Sequence, residues 1–301
     1  MAQFIYEGRP LHYLERGAGE PVMLLHGLGS SGADWALQVR VLERRFRVIV
    51  PDLPGSGHSA PLGQYSIERF ARTLWALADH LELGRVNLVG FSLGGAVGLE
   101  MALQRPDAVP RLGLINSLAS YRLDHWRKWL EACLPLVMIP LFGMRWAARM
   151  GARRLFPQPW QAALRERAAA VVSAVPKACY LATGLSLIGW TALARRSRLK
   201  ARTLMIAAEN DLTPLEEKQL HAAELGADLI VVRGSRHGTP FDAVQLTNAS
   251  LLALLTDAPL PAADRWICDR TALPLAFKGS LAEEHARAGA SRRIDSLHPA
   301  F

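Results

Sequence analysis

The sequence predicts an α/β fold in which a mostly parallel sheet is flanked by helices and a helical segment is inserted after the sixth strand. Three observations predict it. Short apolar runs alternate with stretches of helical apolar spacing. The runs are almost continuously hydrophobic, which is typical of parallel strands buried on both faces. The alternation stops near residue 120 and resumes near residue 200. Repeated strand–helix units imply parallel strands joined by right-handed crossovers.

The length and composition indicate a globular protein. The chain has 301 residues, of which 50% are hydrophobic and 21% charged, enough to bury a core in one large or two smaller domains. The longest apolar stretch, residues 134–142, is about half the ~18 to 20 residues of a membrane span. Residues 1–7 lack the basic and apolar regions of a signal peptide. We therefore expect a cytoplasmic protein, and the three scattered cysteines predict neither disulfides nor a metal site.

The first 118 residues predict a hairpin followed by four parallel strands. The hairpin strands are residues 4–6 and 11–15, joined by Gly8-Arg9-Pro10. The parallel strands are residues 22–26, 48–52, 86–90 and 112–116. Helical spacing between them covers residues 33–44, 67–81 and 94–104.

The middle of the chain is predicted to be helical. Between residues 121 and 198 the strand pattern disappears and five prolines interrupt the helical spacing. Strands then return at residues 203–207 and 229–232, with helices over 214–224 and 241–255. We predict a core of residues 1–118 and 200–257, a helical cap of residues 119–199, and a loosely ordered C-terminal extension of residues 258–301.

The segment Val86–Gly95, VNLVGFSLGG, carries the most informative motif. It places G-x-S-x-G directly after an apolar strand and before a helix of small residues, as a nucleophile elbow requires. Small residues beside Ser92 let the backbones pass in a strained turn, which presents the hydroxyl above the sheet. The glycines form neither G-x-G-x-x-G nor G-x-x-x-x-G-K-[ST], which argues against a dinucleotide or nucleotide site. Ser92 is the candidate nucleophile.

A serine nucleophile needs a base, and the base needs an orienting acid. His237 lies in a glycine-containing loop after a predicted strand, which makes it the candidate base. Asp211 follows another strand and is the candidate acid. The competing acids are Glu209, Asp228 and Asp242. Asp228 precedes its strand and would lie at the wrong sheet edge, while capping of a helix explains Asp242. The chain order Ser, Asp, His suits a sheet of this kind.

Backbone amides are the candidate donors to an oxyanion. The N–H of Leu93 directly follows the nucleophile, and the loop His26-Gly27-Leu28-Gly29-Ser30 offers the N–H of Leu28. Losing one such donor typically costs on the order of 3 kcal/mol of transition-state stabilisation. We expect His26 itself to brace this loop.

At these residues the chain resembles the α/β-hydrolase family. The matching motifs are HGLG (26–29), DLPGSGHS (52–59), GFSLGG (90–95), Asp211 and His237. The resemblance covers roughly residues 3–255 and implies a Ser-His-Asp triad, a cap over the active site, and no metal or organic cofactor. Family members that remove halogens or open epoxides carry aspartate at the elbow, where this chain has Ser92. The motifs do not identify the substrate.

The predicted cap suggests a carboxylic ester with an apolar acyl group as substrate, cleaved in the manner of a carboxylesterase or lipase. The candidate substrate-contacting residues are Trp126, Trp129, Leu136, Phe142 and Trp146. Alternatively these side chains pack the cap onto the sheet. The sequence leaves other functions open. With the same nucleophile, the protein could be a thioesterase or esterase acting on acyl-carrier protein or acyl-CoA, a C–C bond hydrolase, a lactonase, or an enzyme of cofactor-free peroxidase-type chemistry. It could also be a non-catalytic binding protein on this fold.

The positive charge of the chain is confined to the predicted cap. Residues 119–199 hold 13 Lys or Arg and 3 Asp or Glu, whereas the rest holds 22 bases and 24 acids. Arg145, Arg149, Arg153 and Arg154 recur at helical spacing. They could bind an acidic acyl-carrier protein, a coenzyme A phosphate or an anionic membrane surface, or could simply be solvated. No nucleic-acid motif accompanies them, so we expect no nucleic-acid partner.

Overall fold

The computed structural model describes residues 2–262, which form an eight-stranded sheet flanked by helices. The strands are β1 (Ala2–Tyr6), β2 (Arg9–Arg16), β3 (Glu20–Leu25), β4 (Phe46–Pro51), β5 (Asn87–Phe91), β6 (Arg111–Ile115), β7 (Arg202–Ala208) and β8 (Asp228–Val232). Their order in the sheet is β1-β2-β4-β3-β5-β6-β7-β8. Strand β2 runs antiparallel to β1 and β4, and all the other pairs are parallel.

Ten α-helices are present among the described residues. They are α1 (Ala36–Leu42), α2 (Ile67–His80), α3 (Leu93–Gln104), α4 (Trp126–Phe142), α5 (Met144–Leu155), α6 (Ala162–Ala174), α7 (Lys177–Leu187), α8 (Leu215–Leu225), α9 (Thr239–Asp242) and α10 (Val244–Thr256). Helices α4 to α7 lie between β6 and β7 and form the helical insertion, residues 116–201.

The predicted fold class is confirmed, including the insertion after the sixth strand. Where the sequence predicts one last helix over residues 241–255, the structure has two, α9 and α10, separated by Ala243. Ala243 has φ of −129° and ψ of 49°, outside the helical region, so the chain bends there. The predicted extension lies outside the described residues from residue 263 onwards.

The core has two layers because the sheet is covered on both faces. One apolar cluster joins the sheet to α2 and α3, with Phe70, Leu74 and Leu99 fully buried. The other joins it to α1 and α10, with Leu42 and Leu251 fully buried. The near-continuous apolar runs in the strands follow from this burial on both sides.

The helical insertion leaves and rejoins the sheet through a narrow stem. An isolated bridge pairs Ser120 with Thr191. Beside it, the Ala192 amide donates to the Ala119 carbonyl at 2.8 Å. The stem is also tied to α3, because Arg195 binds the buried carboxylate of Glu100 through two nitrogens, at 2.9 and 2.7 Å. Entry and exit of the insertion are thus held together and anchored to α3.

Within residues 2–262 no single helix has both the length and the hydropathy of a membrane span. By those two criteria alone one pair qualifies together, Pro159–Ala174 and Lys177–Leu187, which are bent by 99° relative to each other.

Candidate active site

Ser92 occupies a strained turn between β5 and α3. Its φ of 53° and ψ of −117° lie in a region that residues with a side chain rarely adopt. Two glycines permit the turn. A Cβ on Gly90 would overlap the Gly94 carbonyl, and a Cβ on Gly94 would overlap the carbonyls of Leu25 and His26. The backbones of β3, β5 and α3 are therefore packed in direct contact beneath Ser92.

The sheet topology brings Asp211 and His237 to the same edge as Ser92. Asp211 follows the end of β7, and His237 follows the end of β8. Because β5, β7 and β8 are parallel members of one sheet, their carboxyl ends face the same side. The three side chains predicted from the motifs are therefore brought together, although they are far apart in the chain.

A continuous chain of hydrogen bonds joins these three side chains. The Nδ1 atom of His237 lies 2.6 Å from Oδ1 of Asp211, and its Nε2 atom lies 3.0 Å from Oγ of Ser92. An ionised carboxylate can only accept, so Nδ1 carries the imidazole proton. The neutral ring then accepts the Ser92 O–H at Nε2. This arrangement can remove a proton from the serine hydroxyl.

Asp211 has a second partner, which sequence analysis did not find. Its other oxygen, Oδ2, pairs with the ammonium group of Lys218 on α8, and both side chains are fully buried. Burial by itself raises the pKa of Asp211, but the hydrogen bond from His237 and the charge of and hydrogen bond from Lys218 outweigh it and hold the pKa at about 2. The carboxylate therefore stays ionised next to His237 at neutral pH.

Asn116, the first residue after β6, connects the two loops that hold His237 and Asp211. Its side-chain amide donates to the carbonyl of His237 at 2.8 Å and to the hydroxyl of Thr239 at 2.7 Å. Its Oδ1 accepts from the amide of Ala208, at the end of β7, at 2.7 Å. One side chain thus sets the distance between the loops, which neighbouring strand ends alone do not fix.

Asp242 contacts the loop that carries His237. It is buried and accepts a hydrogen bond from the hydroxyl of Ser235 at 2.7 Å. Burial raises its pKa to about 6, against the opposing effect of the Ser235 hydrogen bond. The acids weighed against Asp211 lie elsewhere: Glu209 accepts from the amide of Gly234, and Asp228 begins β8.

The loop after β3 is fixed by His26 and Asp52. Nδ1 of His26 donates to the Gly27 carbonyl at 2.9 Å, while Nε2 accepts from the Leu53 amide at 2.9 Å. Burial lowers the pKa of His26, which favours this neutral form. Asp52 accepts from the Gly32 amide at 2.8 Å. His26 therefore braces the loop that carries Leu28.

The backbone amides of Leu28 and Leu93 are available to a ligand. Among the described residues, neither N–H donates to another backbone or side-chain group. Leu93 is the first residue of α3, where helical N–H groups have no intrahelical partner and the helix dipole favours negative charge.

A cavity of about 90 Å³ adjoins Ser92, His237 and Leu28. The insertion supplies one wall through the end of α5 and the inner face of α6, and the sheet loops supply the other. The large apolar side chains that line it are Leu28, Phe91, Leu155, Phe156, Leu164, Val171, Val172 and Phe241. A polar rim is formed by the ion pair between Arg167 and Asp34, at 3.0 Å.

The residues predicted to contact substrate are not part of this cavity. Trp126, Trp129, Leu136 and Phe142 lie on α4 and Trp146 on α5, and none lines the space beside Ser92. All but the half-buried Leu136 expose more than a third of their surface. The prediction took the most apolar segment of the insertion for the pocket wall, whereas the wall comes from Leu155 to Val172.

The predicted arginine row is present on the outer side of the insertion. Arg145, Arg149 and Arg153 line a cleft between α5 and α6, together with Arg165 and Glu166. Within the described part of the chain, no three or more His, Cys, Asp or Glu side chains cluster as metal ligands would.

The fold and the site geometry agree with a match to known proteins. A family profile described as "alpha/beta hydrolase fold" matches residues 20–242, from β3 to the end of α9. The chain belongs to the α/β-hydrolase fold family. The match includes the turn at Ser92, Asp211 and His237.

Several curated proteins are similar to this α/β hydrolase over part of their length. The "Magnesium-chelatase 30 kDa subunit" of Rhodobacter capsulatus is 34% identical over 166 residues, 54% of this chain and 56% of that protein. The "Pimeloyl-[acyl-carrier protein] methyl ester esterase" of Vibrio vulnificus is 41% identical over 118 residues, 39% of this chain and 45% of that protein. The chain thus spans about half the length of these curated relatives.

A solved structure is similar over most of the chain. The thermophilic esterase from Thermogutta terrifontis superposes with a TM-score of 0.74 at 25% identity, covering 85% of this chain and 96% of that one. Esterases are therefore among the relatives of this α/β hydrolase.

Because the backbones beneath Ser92 are in direct contact, two glycine substitutions one helical turn apart should have very different effects on the free energy of unfolding. Gly94→Ala forces a Cβ into the Leu25 carbonyl and should destabilise the protein by about 2 kcal/mol or more. Gly98→Ala places its Cβ at ordinary contact distance, 3.5 Å from Leu112 and Leu25 side chains, and should be neutral or stabilising by up to about 1 kcal/mol. Urea denaturation of both variants measures the difference, and equal effects would contradict the steric argument.

The buried pair predicts strong coupling between Lys218 and Asp211. Lys218→Met leaves the carboxylate without its ammonium partner and should cost on the order of 3 kcal/mol of unfolding free energy. In an Asp211→Asn background the same change should cost at least about 1 kcal/mol less. The control is Lys200→Met, an exposed surface pair with Asp107, expected to change stability by less than about 0.5 kcal/mol. Additive effects of Lys218→Met and Asp211→Asn in urea denaturation would refute the coupling.

The raised pKa of Asp242 predicts a specific pH dependence of stability. Its ionised form is disfavoured in the folded state, so Asp242 destabilises the fold as pH rises from about 4 to above its folded pKa of about 6. The stability of Asp242→Asn relative to wild type should increase by about 2 kcal/mol between pH 4 and pH 7. Unfolding curves across this range measure it, with the exposed Asp107→Asn as control. A difference that does not change with pH would contradict the assignment.

Proposed function

We propose that this protein is a serine hydrolase that cleaves carboxylic esters with an apolar acyl group, using Ser92 as nucleophile, His237 as base and Asp211 as orienting acid. The observation that carries the proposal is the chain of hydrogen bonds from Asp211 through His237 to Ser92, with the serine next to a cavity. The esterases among its relatives support the same reaction class.

The geometry supports acyl transfer in two steps. In the first, Oγ of Ser92 attacks the ester carbonyl while its proton moves to Nε2 of His237, 3.0 Å away. The imidazolium then gives this proton to the leaving alcohol as the ester C–O bond breaks, which leaves an acyl-serine. In the second step a water attacks the acyl-serine, with His237 again taking the proton and returning it to Ser92. Asp211 keeps the proton on Nδ1 and stabilises the imidazolium.

The negative charge on the tetrahedral intermediate has two donors in this proposal. The amides of Leu28 and Leu93 have no other partner among the described residues, so they reach the oxyanion without first breaking a bond. Both N–H groups belong to the backbone. That of Leu28 lies in the loop braced by His26, and that of Leu93 lies at the start of α3. Donors held in place before the reaction stabilise the transition state most effectively.

The cavity indicates a short acyl group. Its volume of about 90 Å³ is well below the ~300 to 1,000 Å³ of pockets that enclose drug-sized ligands. The lining is almost entirely apolar near Ser92, with the Arg167–Asp34 pair at one side. A carboxylate or other charged acyl terminus would have to displace Asp34 from Arg167, whereas a short alkyl chain fills the space at no electrostatic cost.

A series of p-nitrophenyl esters from acetyl to palmitoyl tests the proposal. We expect turnover that is greatest for short chains, such as butyryl, and falls for palmitoyl. Ser92→Ala should lower kcat/KM by roughly 10⁴-fold or more, and should abolish labelling by a fluorophosphonate probe. The control is Ser186→Ala on α7, which should leave both unchanged.

Two results would contradict the proposal. Ester hydrolysis by folded wild-type protein that persists in Ser92→Ala would exclude Ser92 as nucleophile. The second result is that the protein hydrolyses none of the esters but does hydrolyse acyl-CoA thioesters or cleave a C–C bond in a diketone. That result would exclude esters as the substrate class and would leave Ser92 as the nucleophile.

A further inference from the structure

The outer surface of the insertion exposes an unusual amount of apolar side chain. Thirteen large apolar side chains are exposed among residues 2–262, and nine of them lie on α4 and α5. These nine form the α4–α5 apolar face: Trp126, Trp129, Leu130, Leu134, Val137, Leu141, Phe142, Trp146 and Met150. Their exposed fractions range from 38% for Trp146 to 69% for Leu141. Soluble monomers rarely expose contiguous apolar patches above a few hundred Å².

Most of the α4–α5 apolar face follows one side of α4 and continues onto α5. On α4 the exposed positions 126, 130, 134, 137 and 141 follow the three- and four-residue spacing of one helix face. The ring of Phe142 lies 4.8 Å from that of Trp146, which continues the surface onto α5. Met150 follows Trp146 by one helical turn. The opposite side of α4 carries Ile139, which is only 2% exposed and packs inward.

Unpaired positive charges border this face. Arg145, Arg149, Arg153 and Arg154 are exposed on α5, beside Trp146 and Met150. None of the four forms an ion pair with any described residue, and α5 contains no acidic residue. Lys128 on α4, by contrast, is neutralised by Asp124 and Glu217. The net excess of charge around the face is therefore positive.

We propose that the α4–α5 apolar face docks this protein onto the surface of an anionic lipid bilayer. Trp126, Trp129 and Trp146 would lie at the level of the headgroups, where tryptophan rings are favoured. Arg145 and Arg149 would extend their guanidinium groups to lipid phosphates while their stems remain in apolar surroundings. The helices lie on the membrane and do not cross it.

The combination of features favours a bilayer over two other occupants. A second copy of this chain docking through the same face would bring eight unpaired arginines together, four from each copy, and they would repel. An acidic protein would neutralise the arginines, but α4 has no Lys or Arg from Trp129 to Phe142 for its carboxylates to bind, a stretch of about 20 Å. A bilayer surface supplies both anionic headgroups and apolar depth.

The docking does not depend on the proposed esterase activity, although the two share an element. Leu155 and Phe156, at the end of α5, line the cavity beside Ser92, while the exposed face of the same helix would contact the lipid. A vesicle-binding measurement therefore tests the docking alone, and Ser92→Ala protein should bind vesicles as well as wild type does.

Flotation of the full chain with vesicles tests the proposal. We expect binding to vesicles of phosphatidylglycerol and phosphatidylcholine at equal amounts, and at least tenfold weaker binding to pure phosphatidylcholine. Brominated phosphatidylglycerol should quench part of the tryptophan fluorescence, because insertion brings the rings to the acyl-chain boundary. Salt should weaken the binding.

Two pairs of variants separate apolar from electrostatic contributions. Trp126→Ser/Trp129→Ser should weaken vesicle binding at least tenfold and reduce the quenching, whereas Leu212→Ser/Leu220→Ser, two exposed apolar residues elsewhere, should have no effect. Arg145→Glu/Arg149→Glu should weaken binding at least tenfold. Its control, Arg40→Glu/Arg44→Glu, has the same spacing and charge change on and just after α1, and should change binding less than twofold.

Four outcomes would overturn the proposal. The first is no binding of wild type to the anionic vesicles. The second is an equal loss of vesicle binding in Arg145→Glu/Arg149→Glu and in its control, Arg40→Glu/Arg44→Glu, which would indicate attraction by net charge alone. The third is a dimer in sedimentation velocity that Trp126→Ser/Trp129→Ser dissociates, without vesicle binding, which would make the face a contact between copies. The fourth is binding to poly-L-glutamate but not to vesicles, which would indicate an acidic protein partner.

Discussion

The close backbone contact beneath Ser92 is the constraint on which the site depends. A Cβ at Gly94 would overlap the carbonyl of Leu25, and a Cβ at Gly90 would overlap the carbonyl of Gly94. The backbones of β3, β5 and α3 are therefore in direct contact, with no side chain between them. This contact holds Ser92 at a φ of 53°, a conformation that a serine in a free loop would leave. It also places the start of α3 next to the loop after β3, so that the amides of Leu28 and Leu93 come from two adjoining segments.

Much of the fold and the three central residues could be predicted because they depend on local patterns. Strands buried on both faces are uniformly apolar, and the turn at Ser92 requires glycines at fixed positions, so both leave a signature in the sequence. Asp211 and His237 were predictable from their positions just after strands. In a parallel sheet that position determines the edge on which a residue lies, whatever the intervening sequence.

Other parts of the site left no local signature. Lys218 lies in the helix LEEKQLHAAEL, where a lysine normally indicates a solvated face, and only the packing of α8 against β7 shows that it is buried beside Asp211. The exposed face of α4 led to the opposite error. An apolar helix favours burial in any sequence-based argument, so the predicted pocket wall was assigned to Trp126 and Phe142 and not to the less apolar α6, whose Leu164 and Val172 line the cavity.

The stem of the helical insertion has a consequence for how such proteins diversify. Because Ser120 pairs with Thr191 and Arg195 is bound to Glu100 on α3, the two ends of residues 116–201 are held to each other and to the rest of the fold. The entropy of closing a loop rises by only about 0.6 kcal/mol for each doubling of its length once its ends are fixed. Helices can thus be added, removed or exchanged beyond the stem at small thermodynamic cost. Selection can alter the walls of the cavity and the outer surface while the relative positions of Ser92, Asp211 and His237 stay the same.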